Sequence, residues 1–219
     1  MKVPLPIRKE IMLNLQSEPM TGIKNIVFDF GGVLLDWNPR YYYRTFFWDE
    51  NEMEYFLTNI CDESWNAEQD RGRSFNEGVR LLQEKHPEYM MAIANYRDEW
   101  SKMLKGEIHE SVSLLRELKK AGYKIYGLTN WSAEKITDAY ARFDFFNLFD
   151  GIVVSGEEKI IKPDKRIYRI LLDRYNLKAP ESVFIDDNPA NVEAAQSLGF
   201  HTILFTSAEN TRLMLEKLL

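Results

Sequence analysis

An aspartate with two glycines close behind it follows a short apolar run near the start of the chain. Residues 25–28 read NIVF, Asp29 comes next, and Phe30, Gly31 and Gly32 follow. A carboxylate at the tip of a buried strand loses hydration, which costs free energy unless a ligand or a reaction uses the charge. Glycines let backbone amides approach a ligand closely. The segment therefore predicts a nucleophilic Asp29 beside amides that bind an anion.

Polar side chains also follow later apolar runs, namely Thr129 and Asn130, and Asp186 and Asp187, while Lys162 and Pro163 are expected in a loop after the strand that begins at Gly151. Ligands of an open parallel sheet bind beyond the carboxyl ends of its strands, so we expect these groups on one rim with Asp29. The clustered carboxylates need a cation, and hard oxygen ligands suit Mg²⁺. Lys162 is expected to balance the charges of a phosphate and of Asp29, and Thr129 to bind phosphate oxygens. These residue types indicate phosphoryl chemistry through an aspartyl intermediate.

The elements that carry these groups are predicted to form an α/β fold. From residue 108 onward, short apolar strands alternate with amphipathic helices, as in parallel βαβ units. The predicted strands cover residues 25–28, 124–128, 151–154, 182–185 and 201–205. This alternation predicts a doubly wound parallel sheet with helices on both faces.

Helical signals alone fill the stretch between the first two of these strands. Helix N-caps are predicted at Asn38, Asp49, Asp62 and Ser74, and a longer helix is predicted over 88–104. No strand with alternating polarity is predicted between 38 and 107. Consecutive helices predict an all-α cap, a small helical bundle inserted into the main fold. The predicted domains are an N-terminal extension over 1–22 with a helix over 7–15, a core of 23–36 and 108–219, and a cap over 37–107.

The bulk composition excludes several classes of protein. The chain has 219 residues, of which 45% are hydrophobic, enough for a sizeable core. Its 34 acidic residues outnumber 28 Lys and Arg, for a formal net charge of −6, whereas nucleic-acid binding needs a basic face. The single cysteine, Cys61, favours a reducing compartment, and no apolar run reaches the length of a membrane span. We therefore expect a cytoplasmic protein without nucleic-acid or membrane partners.

Four short segments, DFGGV, TN, KPD and DDNPAN, resemble in order and spacing the four motifs of the haloacid dehalogenase-like hydrolase superfamily. The resemblance covers residues 23–36 and 108–207, and the intervening helices look like that family's cap. It implies a Rossmann-like core, Mg²⁺ as cofactor and a phosphatase acting on a small phosphorylated metabolite. The chain also resembles bacterial sugar-phosphate phosphatases of the glucose-1-phosphate type.

The resemblance implies a role for each residue that matches a motif. Asp29 would be the nucleophile, with Thr129 and Lys162 as further catalytic groups and Asn191 behind the metal site. The implied metal ligands are Asp29, the backbone carbonyl of Gly31, Asp186 and Asp187, of which Asp187 alternatively holds Lys162. Thr129, Asn130 and Lys162 are expected to bind the phosphate. The backbone amides of Phe30, Gly31 and Gly32 are expected to bind it as well.

One departure from the family pattern concerns Gly31. Family phosphatases usually carry a second aspartate two residues after the nucleophile, which protonates the leaving oxygen and then activates water, a role worth about 10²–10⁴-fold in rate. A phosphatase remains the favoured interpretation, particularly for a good leaving group such as an anomeric phosphate. A 2-haloacid dehalogenase is the alternative, because halide leaves without a proton, although it needs no metal site. A catalytically silent member that binds phosphate or a protein is a third interpretation.

Candidates for substrate contacts also occur outside the four motifs. Arg71, Gly72 and Arg73 in the predicted cap form either a substrate-binding element or a solvated loop. Trp131 is the expected aromatic wall of the site because it follows the TN segment. Trp37 and Tyr42 are further candidates for the pocket lining, because among the nearby aromatic residues they lie closest in sequence to the predicted catalytic turn.

Overall fold

The computed structural model describes residues 22–219, so the helix predicted over 7–15 lies outside the described residues. The strands are β1 Asn25–Phe28, β2 Leu35–Trp37, β3 Leu104–Glu107, β4 Lys124–Thr129, β5 Gly151–Val154, β6 Ser182–Asp186 and β7 His201–Leu204. The helices are α1 Arg40–Phe46, α2 Glu50–Asn59, α3 Glu63–Asp70, α4 Phe75–Lys85, α5 Met90–Asp98, α6 His109–Lys120, α7 Ile136–Arg142, α8 Ser155–Glu158, α9 Lys165–Arg174, α10 Pro189–Gln196 and α11 Ala208–Leu218. Across this range no helix has both the length and the apolar character needed to span a bilayer.

Five parallel strands form the main sheet in the order β5-β4-β1-β6-β7. Strand β1 is central and fully buried, and it pairs with β4 on one side and β6 on the other. The chain therefore adds strands first on one side of β1 and then on the other. This reversal creates a crevice at the carboxyl end of β1, where ligands of such sheets bind. The predicted doubly wound α/β fold is confirmed.

Helices α1 to α5 form the insert between β2 and β3. The predicted N-caps are confirmed, because Asp49, Asp62 and Ser74 each accept a hydrogen bond from an amide in the first turn of their helix. Asn38 likewise accepts one from the Arg40 amide at 2.9 Å, beside Pro39. Such caps satisfy amides that the helix itself leaves unpaired.

The prediction of a continuous helix over 88–104 is wrong. The structure has a 3-10 turn at Pro87–Tyr89, helix α5, and a second 3-10 turn at Trp100–Met103. Strand β3 follows and pairs antiparallel with β2, so the prediction of no strand between 38 and 107 is also wrong. The four residues of β3 are too few to show alternation, and their partner lies about 70 residues earlier. We propose that this two-stranded ribbon joins cap and core.

A close contact between β4 and the residue after Asp29 holds the turn that follows β1. The buried Phe30 ring lies edge-on to Phe146 at 5.1 Å and to Phe149 at 5.5 Å. Gly127 in β4 leaves room for this ring, because a Cβ there would lie 2.6 Å from Phe30 Cζ. The absence of a side chain at residue 127 therefore allows the ring to anchor the turn.

Gly127→Ala is expected to lower the free energy of unfolding by about 1–3 kcal/mol, because the new methyl group overlaps the Phe30 ring in a close-packed core. Denaturant unfolding followed by circular dichroism measures this loss. Gly106→Ala in β3 is the matched control, since nothing lies within 4 Å of the position of its Cβ. Equal losses in the two variants would contradict the role assigned to the Phe30–Gly127 contact.

Candidate active site

The carboxyl edge of the main sheet brings the predicted site residues together. Asp29 follows β1, Thr129 ends β4 and Asp186 ends β6. Because β4 and β6 both pair in parallel with β1, their ends lie on one side. One carboxylate oxygen from each of Asp29, Asp186 and Asp187 lies within 4.8 Å of the other two. We call this edge, together with Lys162, the rim.

The Lys162 ammonium group lies between two carboxylates of the rim. Its side chain is fully buried, and Nζ contacts Asp29 Oδ1 at 2.9 Å and Asp186 Oδ2 at 2.6 Å. Nζ also donates a hydrogen bond to the Leu128 carbonyl at 2.9 Å, so its three donors have three partners. With Asp187 included, three carboxyl groups of the rim lie around the Lys162 ammonium group. Their combined negative charge exceeds the positive charge of Lys162, which favours binding of a further cation.

Burial and charge act in opposite directions on these groups. Burial raises the pKa of Asp29 to about 7, although the Lys162 charge opposes this rise and the Asp186 charge adds to it. Burial by itself lowers the pKa of Lys162, but Asp186 and Asp29 together raise it above its ordinary value. The lysine therefore stays charged, and it is the group that keeps Asp29 within reach of ionisation near neutral pH.

Asp186 is held in place by polar groups from α10 and the loop before it. Asn191 Nδ2 donates to both of its carboxylate oxygens, at 3.0 and 3.1 Å. The Asn188 amide donates to Oδ1 at 2.8 Å, and Asn188 itself caps α10. These donors fix the orientation of a fully buried carboxylate. Asn191 thus lies behind the acidic cluster, as the sequence predicts.

Asn130 binds the backbone of Lys162. Its Oδ1 accepts from the Lys162 amide at 2.8 Å, and its Nδ2 donates to the Lys162 carbonyl at 3.1 Å. These paired bonds attach the loop that carries the lysine to the end of β4. In this structure the Asn130 side chain therefore positions Lys162, whereas the sequence assigned it to the phosphate.

Thr129 presents a buried hydroxyl group that has no hydrogen-bond partner within residues 22–219. The residue is fully buried at the end of β4, next to the Asp29 turn. A buried polar atom without a partner costs about 1–3 kcal/mol unless a ligand or water satisfies it. The Thr129 hydroxyl is therefore available to an oxygen of a bound ligand.

Two of the three amides expected to bind an anion already have partners. The Phe30 amide donates to Asp29 Oδ1 at 2.7 Å, and the Gly32 amide donates to the Leu35 carbonyl at 3.0 Å. Gly32 has a φ of +73°, and the Asp187 carboxylate occupies the position that a Cβ would take. Glycine at residue 32 is thus needed both for the turn and for the approach of Asp187.

An acidic residue of the cap, Asp70, also reaches this edge of the sheet. It ends α3, and its carbonyl accepts a hydrogen bond from Ser155 Oγ at 2.6 Å. Burial raises the pKa of the Asp70 carboxyl to about 7, and the charge of Asp29 contributes to the rise. Sequence reasoning missed Asp70. A detectable signal exists, because an acid at the C-terminal end of a helix is disfavoured by the helix dipole.

The neighbouring basic residues have partners within the cap. Arg73 donates to Gln69 Oε1 at 2.6 Å and to the Trp65 carbonyl at 3.0 Å. The exposed Arg71 lies 3.4 Å from Glu68. Gly72 has a φ of +99°, and a Cβ there would lie 2.9 Å from the Gly156 carbonyl of the core. The turn formed by Arg71, Gly72 and Arg73 therefore contacts the core through its backbone.

Tryptophans form a wall beside Gly31. Among the described residues, a Cβ at Gly31 would meet Trp131 Cζ3 at 4.0 Å and no other atom within that distance, so a side chain at this position has room. The Trp131 ring lies edge-on to Trp100 at 5.5 Å, and Trp100 stacks on Trp37 at 6.3 Å. Tyr42 instead packs against Tyr43 at 5.1 Å. Trp131 therefore occupies the place next to the catalytic turn that the sequence predicts for it.

The chain is similar to known hydrolases in sequence and in fold. The profile of the haloacid dehalogenase-like hydrolase family matches residues 23–199. Over 199 residues the chain is 30% identical to the sesquiterpene phosphatase astK of Aspergillus oryzae, which covers 90% of this chain and 97% of that protein. It is 30% identical over 94 residues to (S)-2-haloacid dehalogenase 1 of Pseudomonas sp., covering 43% of this chain and 41% of that protein. The magnesium complex of the HAD family enzyme bt-2542 from Bacteroides thetaiotaomicron has a TM-score of 0.69 and 22% identity, over 89% of this chain and 98% of that one.

Lys162→Met is expected to lower the free energy of unfolding by about 3–5 kcal/mol, because it leaves buried carboxylates without their cation. Without Lys162 the folded-state pKa of Asp29 rises above about 7, compared with 3.8 for a solvated aspartate. A carboxyl with a raised folded-state pKa takes up a proton on folding, so its unfavourable contribution grows as pH rises through that window. The loss should therefore be larger at pH 8 than at pH 5.

Denaturant unfolding at both pH values, with EDTA present, measures this difference. Lys178→Met removes an exposed lysine that lies 3.4 Å from Glu181, and it is expected to change stability little at either pH. A loss for Lys162→Met that is the same at pH 5 and pH 8 would contradict the charge-pairing explanation.

Proposed function

The chain belongs to the haloacid dehalogenase-like hydrolase family, and we propose that it is a Mg²⁺-dependent phosphatase of a small phosphorylated metabolite. One observation carries the proposal: the carboxylates of Asp29, Asp186 and Asp187 converge within 4.8 Å. Such a cluster of hard oxygen donors suits Mg²⁺. A dehalogenase, which displaces halide from carbon, has no need of a metal at this position.

The donor set fits a magnesium ion by its chemistry. Within residues 22–219 Lys162 is the one cation in ion-pair contact with this cluster, so a further cation would help to neutralise the three carboxyl groups. Asp29, Asp186, Asp187 and the Gly31 carbonyl would hold the ion. When bound, Mg²⁺ would stabilise negative charge on the transferring phosphoryl group.

Asp29 is suited to nucleophilic attack because its two oxygens have different surroundings. Oδ1 is held by the Phe30 amide at 2.7 Å and by Lys162 Nζ at 2.9 Å. We therefore assign the attack on phosphorus to Oδ2, which forms an aspartyl-phosphate that water then hydrolyses. The Thr129 hydroxyl would donate to a phosphate oxygen, and Lys162 would offset the charge that the phosphate brings.

Two observations suggest which substrates to test, namely the similarity to a known phosphatase and the position of Trp131. The similarity to a sesquiterpene phosphatase over 90% of the chain supports phosphate-ester hydrolysis. The Trp131 ring lies 4.0 Å from the position of a Cβ at Gly31, and an aromatic ring beside the nucleophile suits a substrate with an apolar part as well as a phosphate. We propose sugar phosphates and isoprenoid phosphates as the two substrate classes to compare.

A cytoplasmic location is part of this proposal. Cys61 is buried, and burial raises the pKa of its thiol, so this cysteine is unreactive. A chain whose single cysteine forms no disulfide is compatible with a reducing compartment.

We expect the protein to release phosphate from members of a panel of sugar phosphates, isoprenoid phosphates and activated aryl phosphates with Mg²⁺, and to stop when EDTA is added. Asp29→Asn should lower kcat by more than about 10³-fold, because it removes the nucleophile. Asp36→Asn is the control, since the Asp36 carboxylate accepts from the Tyr41 hydroxyl at 2.7 Å and takes no part in the rim. Chloride release from a 2-chloroacid without any phosphate release would establish the dehalogenase instead, and silence in both assays would indicate a binding protein.

A further inference from the structure

If the protein is the phosphatase proposed above, its leaving group needs a proton that residue 31 does not supply. Glycine at residue 31 has no ionisable group, and the leaving oxygen of an alkyl phosphate departs poorly without protonation. A proton donor from another part of the chain would meet this need. Asp70 of the cap is a carboxyl group held at the right edge of the sheet.

Hydrogen bonds tie the backbone of Asp70 to the ends of two core strands. Ser155 follows β5 directly, and its Oγ donates to the Asp70 carbonyl at 2.6 Å. The same Oγ accepts from the Trp131 amide at 2.9 Å, two residues beyond the end of β4. The last residue of α3 is therefore attached to the carboxyl edge that also carries Asp29.

The turn after Asp70 is in close contact with the core. A Cβ at Gly72 would lie 2.9 Å from the Gly156 carbonyl and 3.2 Å from Lys159 Cγ. This approach requires glycine, as does the φ of +99° at this residue. The contact fixes the position of Asp70 relative to the loops that surround the nucleophile.

The surroundings of the Asp70 carboxyl permit both protonation states. Oδ2 accepts a hydrogen bond from Asn66 Nδ2 at 3.2 Å. Burial raises the pKa of Asp70 to about 7, followed in size by the charge of Asp29, while the Ser132 amide and Lys162 oppose the rise. A carboxyl with this pKa can give up a proton and take one back near neutral pH.

We propose that Asp70 is the general acid and base of the reaction, supplied by the cap in place of the aspartate that Gly31 replaces. As Asp29 Oδ2 bonds to phosphorus, the bond from phosphorus to the leaving oxygen breaks, and Asp70 gives its proton to that oxygen. The alcohol departs and leaves Asp70 ionised. Asp70 then accepts a proton from water while the water oxygen bonds to phosphorus and the bond to Asp29 breaks. Inorganic phosphate is released, and Asp70 is protonated again.

Other ionisable groups in the described residues are placed less well for this role. His201 begins β7, and the amino end of a parallel strand lies on the edge opposite the rim. The exposed His109 lies 2.9 Å from Glu107. Asp187 lies against Gly32 and belongs to the acidic cluster proposed to hold the metal.

The test compares Asp70→Asn with the unmodified protein, with Mg²⁺ present, on two kinds of phosphate ester. For an alkyl phosphate, kcat/KM should fall by about 10²–10⁴-fold, the usual effect of losing a general acid. For 2,4-dinitrophenyl phosphate, the first step should fall far less, because this leaving group departs without a proton. Hydrolysis of the aspartyl-phosphate should then become rate-limiting. A stoichiometric burst of dinitrophenol and a phosphorylated protein in acid-quenched intact mass spectra are the expected signs.

Two further variants separate chemistry from folding. Glu68→Gln changes an exposed acid of the same helix that pairs with Arg71, and it should leave both substrates unaffected. Asp70→Asn combined with Gly31→Asp should recover part of the turnover of the alkyl phosphate, because a side chain at residue 31 has room beside Trp131.

The proposal is overturned if Asp70→Asn equals the unmodified protein on both esters, or if it slows both equally without a burst or phosphorylated protein. The second result would indicate a purely structural role for Asp70. If the unmodified protein releases no phosphate from any ester, the phosphatase function fails and the role of Asp70 fails with it. If the unmodified protein releases phosphate and Asp70→Asn shows no selective loss on the alkyl phosphate, the phosphatase function stands and only the proposed role of Asp70 is rejected.

Discussion

The buried ion pairs of Lys162 are the interaction on which the rest of the site depends. Asp29 and Asp186 end adjacent parallel strands, so the sheet forces two carboxylates into one poorly hydrated space. Their charges are tolerable only because Nζ lies 2.9 and 2.6 Å from them. Several other features serve this arrangement. Asn130 holds the backbone of the lysine, and Asn191 holds the carboxylate on the other side.

The charge at this edge also explains why a phosphoryl group and a divalent cation suit it. Lys162 balances only part of the negative charge of three carboxyl groups, so the cluster favours a further cation. The Thr129 hydroxyl, which has no hydrogen-bond partner in the part of the chain that the structure describes, then provides a donor for a bound phosphate. A divalent cation would neutralise the remaining carboxylate charge, and a phosphate oxygen would accept a hydrogen bond from the Thr129 hydroxyl.

If Asp70 acts as proposed, the cap contributes a catalytic residue to the active site in addition to covering it. The nucleophile belongs to the core and the proposed proton donor to the helical insert, whose helix α3 is hydrogen-bonded to the loops after β4 and β5. Proton transfer then depends on the cap lying against the core.

Local sequence pattern determined the fold class and the strand-end residues, because parallel strands place their carboxyl ends on one edge wherever they lie in the chain. Asp29, Thr129 and Asp186 were therefore predictable, as were the helix caps, and Lys162 was predicted from the loop that follows β5. Only the tertiary structure decided that β3 pairs with β2, that Asn130 binds the backbone of Lys162, and that Asp70 contacts Ser155. These contacts join residues about 30 to 85 positions apart, and neither polarity nor periodicity near either residue encodes its partner. Gly31 marked a missing proton donor, and three-dimensional proximity was needed to indicate a replacement.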